Sequence, residues 1–230
     1  MRRALAALLL LAGASASAQD LSQDWPQLAR YRDDDAKVIA SGLKPDIVLL
    51  GDSITEGWVS KRPGVFSAQR VGRGISGQTT PQMLVRFRED VIALHPKAVQ
   101  IMAGTNDIAG NTGPMTVNQI EANYASITDL AKAHGIRVVF SSVTPVYNYT
   151  QRSQNMFLTR PPEKILELNR WLQNYCETNG VIYLDYFSAM TDSHGMMRQE
   201  LADDGLHPND AGYRVMAPLA QNAIEKALAK

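Results

Sequence analysis

Apolar residues run along this chain in two rhythms. Four short segments are apolar at successive positions: Asp46 to Leu50, with Ile47-Val48-Leu49-Leu50 as its run, then Ala98 to Met102, Val138 to Ser142 and Val181 to Leu184. Continuous runs of this kind suit parallel strands buried on both faces. Between them the apolar residues recur at roughly helical intervals. These stretches are Trp25 to Ser41, Pro81 to Leu94, Val117 to His134, Pro162 to Thr178 and Asp210 to Ala229. Proline opens two of them, and Gly42, Gly135 and Gly180 follow three, as helix starts and stops require. Strand alternating with helix predicts an α/β protein whose parallel sheet is covered on both sides. Val146 to Pro161 follows neither rhythm and contains Tyr147, Asn148, Tyr149, Arg152, Phe157 and Arg160. A loop of that length is either functional or a surface excursion with incidental aromatics.

Composition narrows the class without naming a function. The chain has 230 residues, 45% hydrophobic and 20% charged, with 23 basic and 23 acidic side chains. Those values fit an ordinary globular protein rather than a disordered or collagenous one. Zero formal net charge removes the basic footprint of a nucleic-acid binder. The sole cysteine, Cys176, permits neither an internal disulfide nor a multi-cysteine metal site. It shares a helical pattern with Ile165, Leu168 and Leu172, which predicts a buried, inert thiol.

The N-terminus has its own grammar. Met1-Arg2-Arg3 is basic, Ala4 to Ala12 is apolar, and Ala16-Ser17-Ala18 offers the small residues of a cleavage site. The apolar stretch falls short of the roughly 20 residues needed to span a bilayer. The expectation is a signal peptide over residues 1–18, cleaved after Ala18, followed by one domain over 19–230 that is secreted or periplasmic and has no stable membrane anchor. No cysteine follows the signal to carry a lipid.

Ligands of open α/β sheets bind beyond the carboxyl ends of the strands. The polar residues there are Gly51-Asp52-Ser53-Ile54-Thr55 after the first run and Gly104-Thr105-Asn106-Asp107 after the second. Between these lies Gly74-Ile75-Ser76-Gly77-Gln78-Thr79-Thr80, and near the end comes Asp204-Gly205-Leu206-His207-Pro208-Asn209. A serine hydroxyl becomes a useful nucleophile when an imidazole takes its proton and a carboxylate fixes the imidazole tautomer. Ser53, His207 and Asp204 can fill those roles, the three-residue spacing selecting Asp204 over Asp203. The backbone N–H groups of Ser53 and Gly77 and the amide of Asn106 can supply an oxyanion hole. Asp52 and Asp107 are expected to organise their loops. Trp58 either lines the acyl site or packs in the core, and Met196 and Met197 either flank the pocket or fill a gap. His95, His134 and His194 have no partners in these motifs and read as surface or helix-end residues.

Taken together, the four blocks resemble the GDSL/SGNH hydrolase family. GDSIT matches the block that carries the nucleophile, here Ser53. GISGQTT matches the block of the oxyanion glycine, here Gly77; GTND supplies Asn106, and DGLHPN supplies Asp204 and His207. The resemblance spans Gly51 to Asn209. It implies a flavodoxin-like three-layer α/β/α sandwich with a central five-stranded parallel sheet. It also implies ester hydrolysis with no cofactor and no metal. Gly72 departs from the pattern, since many relatives of this kind carry asparagine shortly before the second block, and local loop support is therefore open. The motif at Ser53 ends in Thr55 rather than the glycine of a G-x-S-x-G elbow, so an α/β-hydrolase fold is not expected.

The family resemblance covers lipases, lysophospholipases, thioesterases, arylesterases and carbohydrate O-acetylesterases. With no long apolar lid in the sequence, a short acyl group is favoured, especially acetyl on a sugar. The substrate is thus a small-molecule or carbohydrate acyl ester, with a lipid as its competitor. Two other classes stay open: a metal-dependent phosphoesterase using Asp52, Asn106, Asp107 and His207, which lacks Asp-x-His at the first strand, and a sugar-binding protein on a retired hydrolase fold. A base at His207 must be neutral, so acidification should slow the reaction.

Overall fold

The computed structural model describes residues 24–61 and 63–229. The expected signal segment, residues 1–18, lies outside them. Five strands form one parallel sheet: β1 (Ile47–Gly51), β2 (Arg70–Gly74), β3 (Ala98–Met102), β4 (Arg137–Ser141) and β5 (Ile182–Leu184), in the order β2-β1-β3-β4-β5. In register, Ile47 stands beside Arg70 on one side and Ala98 on the other. Successive residues of a strand face opposite sides, so the apolar run of β1 divides. Val48 and Leu50 enter one core with Met83, Phe87, Tyr124 and Leu168, while Ile47 and Leu49 enter the other with Ile54, Trp58, Tyr213 and Met216.

The first core is closed by α3 (Thr80–Asp90), α5 (Val117–Ala133) and α7 (Pro162–Asn179), with α1 (Arg32–Ala40) packed against α3. The second is closed by α2 (Ser53–Lys61), α8 (Phe187–Met190) and α9 (Asp210–Leu228). Two further short helices, α4 (Thr105–Ile108) and α6 (Met156–Thr159), lie in connections. The three-layer α/β/α sandwich expected from the sequence is therefore present.

Several local expectations change. The helix expected over Trp25 to Ser41 is formed only from Arg32 to Ala40. Before it, the Asp24 carboxylate accepts the N–H groups of Leu28 and Ala29, and Gln27 takes a left-handed φ of 57°, which no helix continues. The segment Pro81 to Leu94 breaks after Asp90 and finishes as a 3-10 turn, Ile92–Leu94, capped by His95 at φ 52°. Strand β2, with the sequence Arg-Val-Gly-Arg-Gly, is the strand that no apolar run announces. It is an edge strand, and Gly72 sits within it, not in a loop. A Cβ at Gly72 would come within 2.5 Å of Val59 Cγ2 and 3.1 Å of the Phe66 ring, so those side chains already fill the space.

Cys176 is buried in the α7 face of the first core as expected, and burial pushes its thiol up to about 12. Trp58 is also fully buried, against Phe66, Tyr186 and Tyr213, and Met197 is buried beside it in the same core. His95, His134 and His194 are exposed, at turns or a helix end.

Candidate active site

The strand order reverses direction between β1 and β3, and the crevice at such a switch point is where ligands bind in this architecture. Ser53 follows β1 there and opens α2; Asn106 follows β3 and lies in α4. The chain can turn from β3 into α4 because Gly104 adopts φ +106°, where a Cβ would also meet Leu168 at 2.7 Å.

Ser53 Oγ lies 2.9 Å from His207 Nε2, across 154 residues of sequence, and His207 Nδ1 lies 2.7 Å from Asp204 Oδ2. The other oxygen of Asp204 accepts the N–H groups of His207 at 2.8 Å and Leu206 at 3.0 Å. Burial pushes the Asp204 carboxyl upward, but these hydrogen bonds outweigh it and hold the group below the ordinary carboxylate range. An ionised carboxylate only accepts, so Nδ1 must carry the proton. In the neutral ring Nε2 is then bare, and the Ser53 hydroxyl donates to it. Asp203 takes no part in this hydrogen-bonded series; its carboxylate accepts from Asn209 at 2.9 Å.

Asn106 joins the two other loops. Its Nδ2 donates to Gln78 O at 3.1 Å and lies 3.5 Å from Asp52 Oδ2. Gln78 follows Gly77 and Asp52 precedes Ser53, so Asn106 ties together the two segments that carry Gly77 and Ser53. Gly77 has φ +78°, and neither its N–H nor that of Ser53 is bonded to another described residue. Such free N–H groups, one of them at the first turn of a helix, suit a negatively charged oxygen.

The two neighbouring aspartates behave as loop organisers. Asp52 Oδ1 accepts from Ile54 N at 2.9 Å, and burial with Asp107 nearby pushes the Asp52 carboxyl up to about 6. Asp107 Oδ1 accepts from both the N–H and the hydroxyl of Thr80. Among the described residues, no group of three or more His, Cys, Asp and Glu is arranged to hold a metal ion.

Two arginines hold this frame, and periodicity gave neither a role. Arg86 on α3 is fully buried. It pairs with Asp90 at 2.6 Å, donates to Gln78 Oε1 at 2.6 Å, and donates to the carbonyls of Gly51 at 3.0 Å and Arg73 at 2.9 Å. It thereby ties together the ends of β1 and β2 and the segment after Gly77. Arg160, at the end of the aperiodic connection, donates to Asn106 Oδ1 at 3.2 Å and Thr105 Oγ1 at 3.1 Å. The same connection backs the His207 turn at its other end: Tyr147 N donates to Gly205 O at 3.0 Å and Tyr147 Oη to Ala202 O at 2.8 Å. In sequence, the only signal was the position of both arginines beside otherwise apolar or motif residues.

Ser53 and His207 open into a cleft of about 920 Å³ that runs along the free edge of β2 between α1 and α2. Its walls carry Arg30, Glu56, Lys61, Phe66 and Ser76. Glu56 accepts from Arg30 at 3.1 Å and from Ser76 N at 2.8 Å, and Lys61 Nζ donates to Pro208 O at 2.9 Å. Neither Trp58, Met196 nor Met197 lines it.

Residues 49–215 match the GDSL-like lipase/acylhydrolase family, and the chain belongs to that family. Its members are hydrolases, which fits the fold and the position of the site. A solved structure of a candidate acylhydrolase from Bacteroides fragilis is 41% identical, superposes with a TM-score of 0.81, and matches over 89% of this chain and 99% of that one. An acetylxylan esterase from Geobacillus stearothermophilus is 25% identical over 211 residues, 78% of this chain and 92% of its own. An uncharacterized lipoprotein from Bacillus subtilis is 31% identical over 119 residues, and the match spans 44% of this chain and about half of that one, 49%. Among the described residues, no helix is long and apolar enough to cross a membrane.

Proposed function

We propose that this protein is a serine esterase that hydrolyses carboxylic esters through an acyl-enzyme on Ser53. One observation carries the reading: the unbroken hydrogen-bonded series from Ser53 Oγ through the His207 ring to Asp204, with distances of 2.9 and 2.7 Å. His207 Nε2 takes the Ser53 proton as Oγ attacks the carbonyl carbon. The developing oxyanion is met by the N–H groups of Ser53 and Gly77 and by Asn106 Nδ2. The tetrahedral intermediate collapses, the bond to the alcohol oxygen breaks, and His207 returns its proton to the departing alcohol. Water repeats the sequence, releasing the acid and restoring Ser53. No cofactor enters these steps.

The preferred substrate is a short acyl ester, acetyl above all, on a small polar alcohol or a carbohydrate. Support comes from the similarity to an acetylxylan esterase and from the polar groups Arg30, Glu56, Lys61 and Ser76, which interrupt the apolar surface of Val59, Phe66 and Val71 in the cleft. A lipid alcohol would ask for a continuous apolar lining instead. In this reading residues 19–230 form one domain, exported after cleavage behind Ala18, which N-terminal sequencing of the purified protein checks.

The deciding experiment treats the purified protein with a fluorophosphonate and with p-nitrophenyl acetate, with and without a chelator. The expected outcome is labelling at Ser53, chelator-insensitive turnover, and turnover abolished in a folded Ser53→Ala variant. Turnover should fall on acidification, because a protonated His207 cannot accept the serine proton. Full activity in folded Ser53→Ala would end the proposal, and loss of activity with chelator would favour a metal site.

A further inference from the structure

We propose that Arg160 is a positioning residue for the oxyanion hole: it holds the Asn106 amide in the one orientation that turns its NH2 toward the reacting carbonyl. The inference rests on the role given to Asn106 above and assigns a task to the aperiodic connection between β4 and α7.

A carboxamide turned over by half a rotation keeps its shape but exchanges acceptor for donor. At Asn106 that exchange would present an oxygen to the negative oxygen of the transition state and turn attraction into repulsion. The surroundings forbid it. A guanidinium carries only donors, and Arg160 Nη2 lies 3.2 Å from Asn106 Oδ1. On the opposite side stands an acceptor, Gln78 O, 3.1 Å from Nδ2. Gln78 O takes one of the two amide hydrogens; the second has only the longer 3.5 Å contact to Asp52 Oδ2, also an acceptor, which the substrate oxygen would replace.

Arg160 is itself fixed. Its Nε donates to Thr105 Oγ1 at 3.1 Å and its Nη1 to Thr159 Oγ1 at 3.3 Å, so its fork grips two consecutive residues of α4. Among the described residues, no carboxylate lies within 4 Å to form an ion pair with it. Its charge acts at longer range on Asp52 and Asp204, and at contact on the amide oxygen, where a charge-assisted bond polarises the amide and strengthens the N–H that faces the substrate.

An interaction that matters only as the oxyanion forms lowers kcat and leaves KM alone. The test is a double-mutant cycle on p-nitrophenyl acetate, with fluorophosphonate titration counting folded sites. Asn106→Ala should lose about 100-fold in kcat. Arg160→Met should lose about tenfold in kcat with KM within about twofold, and Arg160→Lys, which keeps a charged donor, should recover part of that loss. In the Asn106→Ala background, Arg160→Met should cost less than about twofold, since no amide remains to be held. A repeated tenfold loss in that background, a loss confined to KM, or wild-type turnover in Arg160→Met would each overturn the positioning role. If folded Asn106→Ala also turned over normally, the oxyanion reading itself would fall; an impaired Asn106→Ala beside an unaffected Arg160→Met would sink only the present inference.

Discussion

The two walls of the site are built by different means. The inner wall, formed by the ends of β1 and β3, the Asp204 to His207 turn and the connection carrying Tyr147 and Arg160, is fastened by buried bonds from Arg86 and Tyr147 to backbone carbonyls and by part-buried bonds from Arg160 to Thr105 and Asn106. The outer wall, along the edge of β2 between α1 and α2, has one buried fastening, Arg73 of β2 to Asp35 of α1, and its cleft face otherwise carries exposed or half-exposed pairs such as Arg30 with Glu56 and Lys37 with Asp34. An exposed pair is worth about 0–1 kcal/mol, whereas stripping one partner from a buried ion pair costs about 3–5 kcal/mol. Groups that must meet reacting atoms to within a fraction of an ångström belong on the first kind of wall, and groups that adapt to an alcohol belong on the second.

The sharpest way to break this contrast is Arg86→Met. It leaves Asp90 buried without its partner and frees the carbonyls of Gly51 and Arg73. The expected loss in urea unfolding is about 3–5 kcal/mol; a loss below about 1 kcal/mol would mean that the inner wall does not depend on it. Gly205→Ala comes next. Its φ is +85°, and a Cβ would sit 2.5 Å from Tyr147 O and 2.7 Å from Ser153 Cβ. About 2 kcal/mol of stability should go, with esterase activity falling as the His207 turn shifts.

Asp52→Asn tests the buried carboxyl through pH. Burial holds Asp52 at about 6, so between its ordinary value and 6 the folded state binds more protons than the unfolded chain. Stability from this group is greatest at acid pH and declines as pH rises through that window. The asparagine variant should lack that decline, amounting to about 2 kcal/mol between pH 4 and 6. An unchanged slope in unfolding measurements would remove Asp52 as its source. Smallest of all, Glu56→Gln on the outer wall should change stability by less than about 1 kcal/mol. Its effect should appear instead as a shift in kcat/KM between acetate esters of bulky and of small alcohols.

The same division explains what could be read from the sequence. Strands β1, β3 and β4 were legible because both their faces are buried and their apolar runs are continuous, and the half-buried edge strand β5 because its short run is still apolar. Strand β2, the other edge, was not: its one valine sits among two arginines and two glycines, a composition that looks like a turn. Arg73 is in fact buried against Asp35 at 2.8 Å. The residues Ser53, Gly77, Asn106, Asp204 and His207 stood out because each follows a strand or sits in a short polar block. Arg86 and Arg160 did not, since a buried cation serving backbone carbonyls or an amide leaves no periodic trace. The false extension of α1 to Trp25 had a local cause, the Asp24 carboxylate capturing two amides that a helix would have used.

Ser53 and His207 meet across 154 residues, one opening the first helix after β1 and the other standing just before the last. A ribosome therefore makes all five strands of the sheet before the imidazole proposed to activate Ser53 has been synthesised. In the proposed mechanism, every nascent or C-terminally truncated form lacking the His207 turn is without its base, whatever else of it has folded. On that reading competence waits for the Asp204 to His207 turn, which the chain reaches only after all five strands and just before α9.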